Sequence, residues 1–164
     1  MQFGHRHLTT SGYTVVMSGG TPRSIRFEEH VSERLTSYVA RHPGWSGSSA
    51  ANRFVDEALR MEDHPGILFR DGASGRRAVL VGGPDVREVI RAIRSARANE
   101  PQLDQDAIVS LVSSNSGLTS RLVNTAVSYW ASYPDEIDGW INEVDSYEEQ
   151  ALLAWERRQD LLSK

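Results

Sequence analysis

The 164-residue chain contains no cysteine. Disulfide frameworks, thiolate zinc sites, iron–sulfur clusters and thiol catalysis are thereby excluded, and a reducing compartment suits it. It also lacks any run of eighteen apolar residues, so no membrane-spanning helix is predicted and a cytoplasmic location is expected. Lysine is nearly missing: of the 18 cationic residues only Lys164 is Lys, the rest being Arg. The first twenty residues have no cationic start, apolar stretch and cleavage site in sequence, so a signal peptide is not expected. What remains is ordinary globular material. At 39% hydrophobic and 24% charged residues, the chain can bury one domain or two small ones.

The net charge of −4 is unevenly spread. Residues 1–63 balance to zero, 64–100 carry +3 and 101–164 carry −7. An acidic chain is poorly suited to sequence-blind nucleic-acid binding but can still hold a small DNA-reading element. The acidic C-terminal part suits a solvated face or a basic partner.

Four segments follow from the pattern: a flexible stretch at 1–21, a first module at 22–63, a second at 64–138 and a terminal helix at 139–164. The first ends in Ser18-Gly19-Gly20-Thr21-Pro22, a linker composition. Met17 just before it is read as the natural start; an N-terminal peptide containing Met1 in the native protein would refute that. His5 and His7 have no third ligand in view and are not read as a metal site.

In the second segment, Ser24 to Glu28 alternates polar and apolar, as a half-buried strand does. Ile25 and Phe27 are then expected to face the core, and Ser24 and Arg26 to face out. Val31, Leu35, Tyr38 and Val39 form one helical stripe, ended by His42-Pro43-Gly44. Ala51, Phe54, Val55, Ala58 and Leu59 form a second after the hydroxyl-rich Ser46-Gly47-Ser48-Ser49. A lone strand would leave backbone groups unpaired, and two short helices bury little. Two chains pairing their strands and interlocking their helices solve both problems, so an obligate homodimer through residues 24–61 is expected.

Residues 22–61 resemble the ribbon-helix-helix (Arc/MetJ/CopG) DNA-binding family. The resemblance implies that paired strands enter the major groove of operator DNA. It places base contacts on Ser24 and Arg26, and phosphate contacts on Ser46 and Ser48 at the start of the second helix. The sequence departs from the family where Pro22 replaces an outward polar residue, and where Glu28 and Glu29 follow the strand. Those acids suit a helix N-terminus. A module that dimerises without touching DNA is the alternative.

From Ile67 to Val81 two apolar runs flank the Asp71–Gly75 turn composition, predicting a β-hairpin. Gly82-Gly83-Pro84-Asp85 then opens a helix with Pro84 in its first position and Val86, Val89, Ile90 and Ile93 inward. Arg87, Arg91, Arg94 and Arg97 share one face of it, solvated or touching a DNA backbone or an acidic partner. A short helix from Asp104 to Ser113, the Ser114–Gly117 turn, and a longer helix from about Thr119 to Tyr133 have a helix-turn-helix layout. Leu122, Val123, Ala126, Val127 and Trp130 are its inward set. Ser120, Arg121, Asn124, Thr125 and Ser128 form its outward surface, for a second DNA contact or a partner.

Residues 64–138, with their closing Tyr129-Trp130-Ala131-Ser132-Tyr133-Pro134-Asp135-Glu136 run, resemble an uncharacterised family often found in the antitoxin half of toxin–antitoxin pairs. That resemblance implies a toxin partner, such as a basic PIN-like ribonuclease. The tail carries Trp140, Val144, Tyr147, Ala151, Ala154 and Leu161 on one seam, interrupted by Arg158. It either packs on the preceding helices or docks in a partner's groove, with Trp140, Tyr147 and Trp155 as anchors.

The expected fold class is mostly α with short β elements. A ribbon-helix-helix dimer module precedes a hairpin, a small helix-turn-helix-like domain and a terminal helix. The expected function is a DNA-binding antitoxin and autorepressor. The alternatives are a regulator without a toxin, or a dimeric protein-interaction scaffold. No enzyme activity, catalytic residue, metal or cofactor is expected. The five His lie at termini or near helix ends, and no Ser-centred elbow exists. Asp135, Glu136 and Asp138 suit a helix start better than a metal.

Overall fold

A computed structural model describes residues 13–15, 23–72 and 75–163. His5, His7, Met17, Pro22 and the Ser18–Gly20 linker lie outside the described residues. The chain is mostly helical, with six helices and two two-stranded antiparallel sheets among the described residues. It divides into two compact units, Met1–Leu59 and Arg60–Lys164.

The first unit holds β1 (Tyr13–Val15), β2 (Arg23–Ile25), α1 (Glu29–Arg41) and most of α2 (Gly47–Asp63). β1 and β2 pair antiparallel, with Tyr13 opposite Ile25, Thr14 opposite Ser24 and Val15 opposite Arg23. Where a lone strand was expected, β2 finds a partner in its own chain on one edge. The backbone groups that needed pairing are met by residues assigned to a linker region. The strand is also shorter than predicted and ends at Ile25, so Arg26 follows it.

Glu28 takes extended backbone at the N-cap of α1, and Glu29 stands in its first turn. Carboxylates there favour the positive end of the helix dipole. Leu35, Ala50 and Ala51 form a small buried core, flanked by Phe27, Tyr38, Val39, Trp45 and Phe54. Tyr38 organises it. Its ring stacks on His42 at 3.9 Å and meets Phe54 edge-on at 4.8 Å. His42 Nδ1 lies 2.8 Å from the Tyr38 carbonyl oxygen, closing the last turn of α1.

The second unit begins with a hairpin of β3 (Ile67–Gly72) and β4 (Gly75–Leu80), in register from Ile67–Leu80 to Gly72–Gly75. Both strands extend further into the predicted turn than expected. Four helices follow: α3 (Val86–Asn99), α4 (Gln105–Ser116), α5 (Ser120–Ser132) and α6 (Pro134–Leu162). Pro84 precedes α3 rather than opening it. The chain folds back along β4 here, with the Leu80 N–H donating to the Pro84 carbonyl at 3.0 Å. Gly83 suits that return, since a Cβ would lie 3.1 Å from Leu80 Cβ and 3.2 Å from Leu118 Cδ2, tight enough that these neighbours would have to give slightly.

Residues 114–116, predicted as a turn, continue α4 to Ser116. Gly117 then ends the helix with φ +71°, a left-handed cap that glycine adopts without strain. Asp104 and Thr119 cap the starts of α4 and α5 by accepting from the Ala107 and Leu122 N–H groups. The core gathers Ile67, Leu80, Val86, Ile90, Val112 and Val123 with Tyr129, Ile137 and Ile141. Tyr129 is fully buried, whereas Trp130, the predicted inward aromatic, is only half-buried.

Candidate nucleic-acid interface and protein-contact surfaces

In the first unit, Ser24 and Arg26 are both exposed, as a base-reading pair must be. Among the described residues, no ion pair or hydrogen bond is formed by the Arg26 side chain. Ile25, expected in the core, is 44% exposed. The alternation therefore does not bury the apolar face of β2 within one chain. Val31, Val55 and Leu59 are likewise exposed, although all three belong to the predicted stripes. A groove of about 700 Å³ opens between the helices, lined by Val31, Leu35, Tyr38 and Phe54 with Arg34 and Arg41.

Ser46 and Ser49 close the start of α2 reciprocally. Ser49 N–H donates to Ser46 Oγ at 3.0 Å, and Ser46 N–H donates to Ser49 Oγ at 2.9 Å. This is the geometry of a capping box with Ser in place of Glu. The Ser46 hydroxyl is thus engaged in the cap. Ser48 is half-buried, and the backbone N–H groups at a helix start are the groups that can face an anion.

In the second unit the sequence reading of α5 holds for Ser120, Arg121, Asn124 and Ser128, all exposed. Thr125 differs. It is half-buried, its hydroxyl donates to the Arg121 carbonyl at 3.0 Å, and its methyl lies against Gly66. The arginine face of α3 stays partly solvated, with Arg94 and Arg97 exposed, but its side chains are also engaged within the chain. Arg87 lies 3.4 Å from Asp85, whose carboxylate also accepts from Arg77. Arg91 pairs with Asp145 at 3.0 Å and Glu148 at 2.9 Å, and Arg94 with Asp138 at 2.6 Å. Arg97 donates to the Leu103 carbonyl at 2.6 Å. The acidic partner of α3 is therefore α6 of the same chain, together with the loops at either end of α3. Hydrogen bonding to Glu148 holds the Arg91 pKa above its ordinary value.

One polar cluster was invisible to the sequence reading. Arg60 Nη1 donates to Tyr129 Oη at 3.0 Å and to Glu136 Oε2 at 2.6 Å, and Tyr129 Oη donates to Glu136 Oε1 at 3.2 Å. The Arg60 guanidinium also lies 4.0 Å from the centre of the Tyr133 ring. His64, buried, meets both tyrosine rings edge-on. Burial alone would lower the Arg60 pKa, but its bonds to Glu136 and Tyr129 outweigh burial and raise it. Burial raises the Tyr129 phenol, the bond from Arg60 opposes this, and the Glu136 charge adds to the rise.

The raised phenol predicts alkaline sensitivity. The folded state favours the neutral phenol, so this contribution to stability is complete below the ordinary value of 10.0. It is lost as pH climbs above that value. Urea midpoints measured across that range should fall more steeply for the native chain than for Tyr129→Phe. Equal slopes would show that Tyr129 ionisation does not contribute.

α6 is one helix of 29 residues. Ile137 and Ile141 are buried, and Trp140 and Val144 half-buried, so its start packs on the preceding helices. From Asp145 onward every described residue is exposed. The tail packing expected from the sequence thus covers only the first part. Trp140 belongs to the core margin, while Tyr147 and Trp155 stand free at 63% and 58% exposure. Among the described residues no group of His, Asp or Glu could hold a metal, and no helix is long and apolar enough to cross a membrane.

The chain matches no protein-family model, and no curated protein or solved structure is significantly similar to it.

Proposed function

We propose that the protein is a DNA-binding repressor that acts as a homodimer through its N-terminal ribbon-helix-helix-type module. The observation that carries this reading is the apolar surface left open in the first unit. Ile25, Val31, Val55 and Leu59 are exposed, Val31 on the wall of the groove, while the apolar residues buried among those described in this unit are Leu35, Ala50 and Ala51. A unit with so small a core gains most by sharing a second one with a copy of itself. β1 holds one edge of β2, and the dimer ribbon forms on the other. Arg26 then makes a bidentate contact to a guanine, Ser24 supplies an unselective hydrogen bond, and the α2 start holds a phosphate.

The C-terminal unit supports a second, protein-directed role. Residues 101–164 carry −7, which would steer a basic partner such as a ribonuclease toxin. In that form the protein is an antitoxin that represses its own operon in the cytoplasm.

Fluorescence anisotropy on the DNA upstream of its own gene tests the repressor reading. Arg26→Ala should weaken binding about 10- to 100-fold for each half-site, the worth of one lost bidentate contact. Equal, weak and salt-sensitive binding of both proteins to this DNA and to an unrelated duplex would leave the ribbon only a dimer clasp.

A further inference from the structure

The tail of α6, Val144 to Leu162, spans about 28 Å at 1.5 Å per residue. Its apolar residues are open: Tyr147, Trp155, Leu161 and Leu162 are all more than half exposed. Val144, Tyr147, Ala151, Ala154, Arg158 and Leu161 follow one another at alternating steps of three and four, the seam of a two-helix pair. We propose that the partner anchored by Tyr147 and Trp155 is a second copy of this chain, its α6 lying antiparallel along this seam. The inference rests on the tail being an interface and is independent of the DNA reading.

Three features of the seam select this occupant. The first is Arg158. In a parallel pair it would face the partner's Arg158 inside the seam, a like-charge contact. In the antiparallel register it faces the partner's Tyr147, whose ring accepts a guanidinium. The second is size. The same register places Ala151 opposite the partner's Ala154 at the centre, where two small residues let the backbones approach. Val144 then meets the partner's Leu161. The third is charge. Residues 143–149 carry −4, whereas residues 156–164 carry +1. Antiparallel pairing sets these stretches side by side, and parallel pairing sets −4 against −4. A basic partner suits the seam less well, because Arg158 interrupts it.

The absence of cysteine makes a direct test available. Ala151→Cys and Ala154→Cys chains, mixed under mild oxidation, should form a 151–154 disulfide. Each alone should cross-link much less. Dominant 151–151 or 154–154 cross-linking would mean a parallel pair and overturn the proposal.

Sedimentation of the full chain supplies a second readout. Trp155→Glu, at an exposed position, should halve the assembly while leaving the far-ultraviolet spectrum unchanged. A step from tetramer to dimer means that the N-terminal module also pairs. A step from dimer to monomer means that the tail pairs and the N-terminal module does not. No change in mass with Trp155→Glu, together with no 151–154 cross-link, overturns the tail pairing. That result would leave the tail to a different protein.

Discussion

Tyr129→Ala is expected to cost about 4–5 kcal/mol, the upper end of the range for truncating a buried aromatic. Tyr129 is fully buried, and the rings of His64, Phe69 and Tyr133 surround it with centroids 4.8 to 6.4 Å away. Those rings cannot collapse into the space without leaving their own contacts, so the cavity term stays large. The change also removes a hydroxyl shared by Arg60 and Glu136. Tyr129→Phe isolates that second part and should cost about 1–2 kcal/mol, a buried hydrogen bond to charged groups. Urea unfolding followed by circular dichroism would measure both. A domain has about 5–15 kcal/mol in total, so the Ala variant should lose a large share of its stability. Equal losses for the two variants would mean that the ring contributes nothing beyond its hydroxyl.

Glu136→Ala should cost about 2–4 kcal/mol, somewhat below the range for breaking a fully buried ion pair. Arg60 and Glu136 retain 18% and 27% of their side-chain exposure, so water partly replaces the lost carboxylate. The loss arises mainly from Arg60, left charged and largely enclosed. Replacing both residues follows from the same argument. Arg60→Leu/Glu136→Leu removes the two desolvated charges together and should recover much of the single-variant loss. A double-mutant cycle gives the coupling. A double variant less stable than Glu136→Ala would mean that the pair contributes more than its desolvation costs.

The helices were legible because their apolar residues repeat at helical spacing and their ends carry recognisable caps. Asp104, Thr119 and Gly117 each act at a helix end, as their chemistry suggests. The hairpin was legible for the same kind of reason, two apolar runs around a Gly-containing turn. The central misreading in the core was Tyr129. The apolar stripe includes Trp130, which packs at the core margin, but periodicity alone does not separate two adjacent aromatics at a helix edge. Arg60 and Glu136 satisfy that hydroxyl from 69 and 7 positions away, a distance no local pattern can register.

The candidate surfaces divide in the same way. Ser24, Arg26, Ser120, Arg121 and Asn124 are exposed where alternation and helical period put them. Ser46 and Thr125 are drawn into local hydrogen bonds, because a hydroxyl beside a helix backbone competes for its own N–H and carbonyl groups.

Local pattern alone carries the order of elements from β2 onward, the two apolar stripes of the first unit, the acidic C-terminal part and the seam of the last helix. These are properties of neighbours within a few residues, set by backbone period and side-chain type. Only the tertiary structure decided which charges meet. It turned the arginine face of α3 toward Asp138, Asp145 and Glu148, and it closed Arg60 on Glu136. It also decided which part of the seam is open, since α6 runs past the core after Val144. Pairing and burial depend on groups brought together across the chain, and a one-dimensional pattern carries no distance between them.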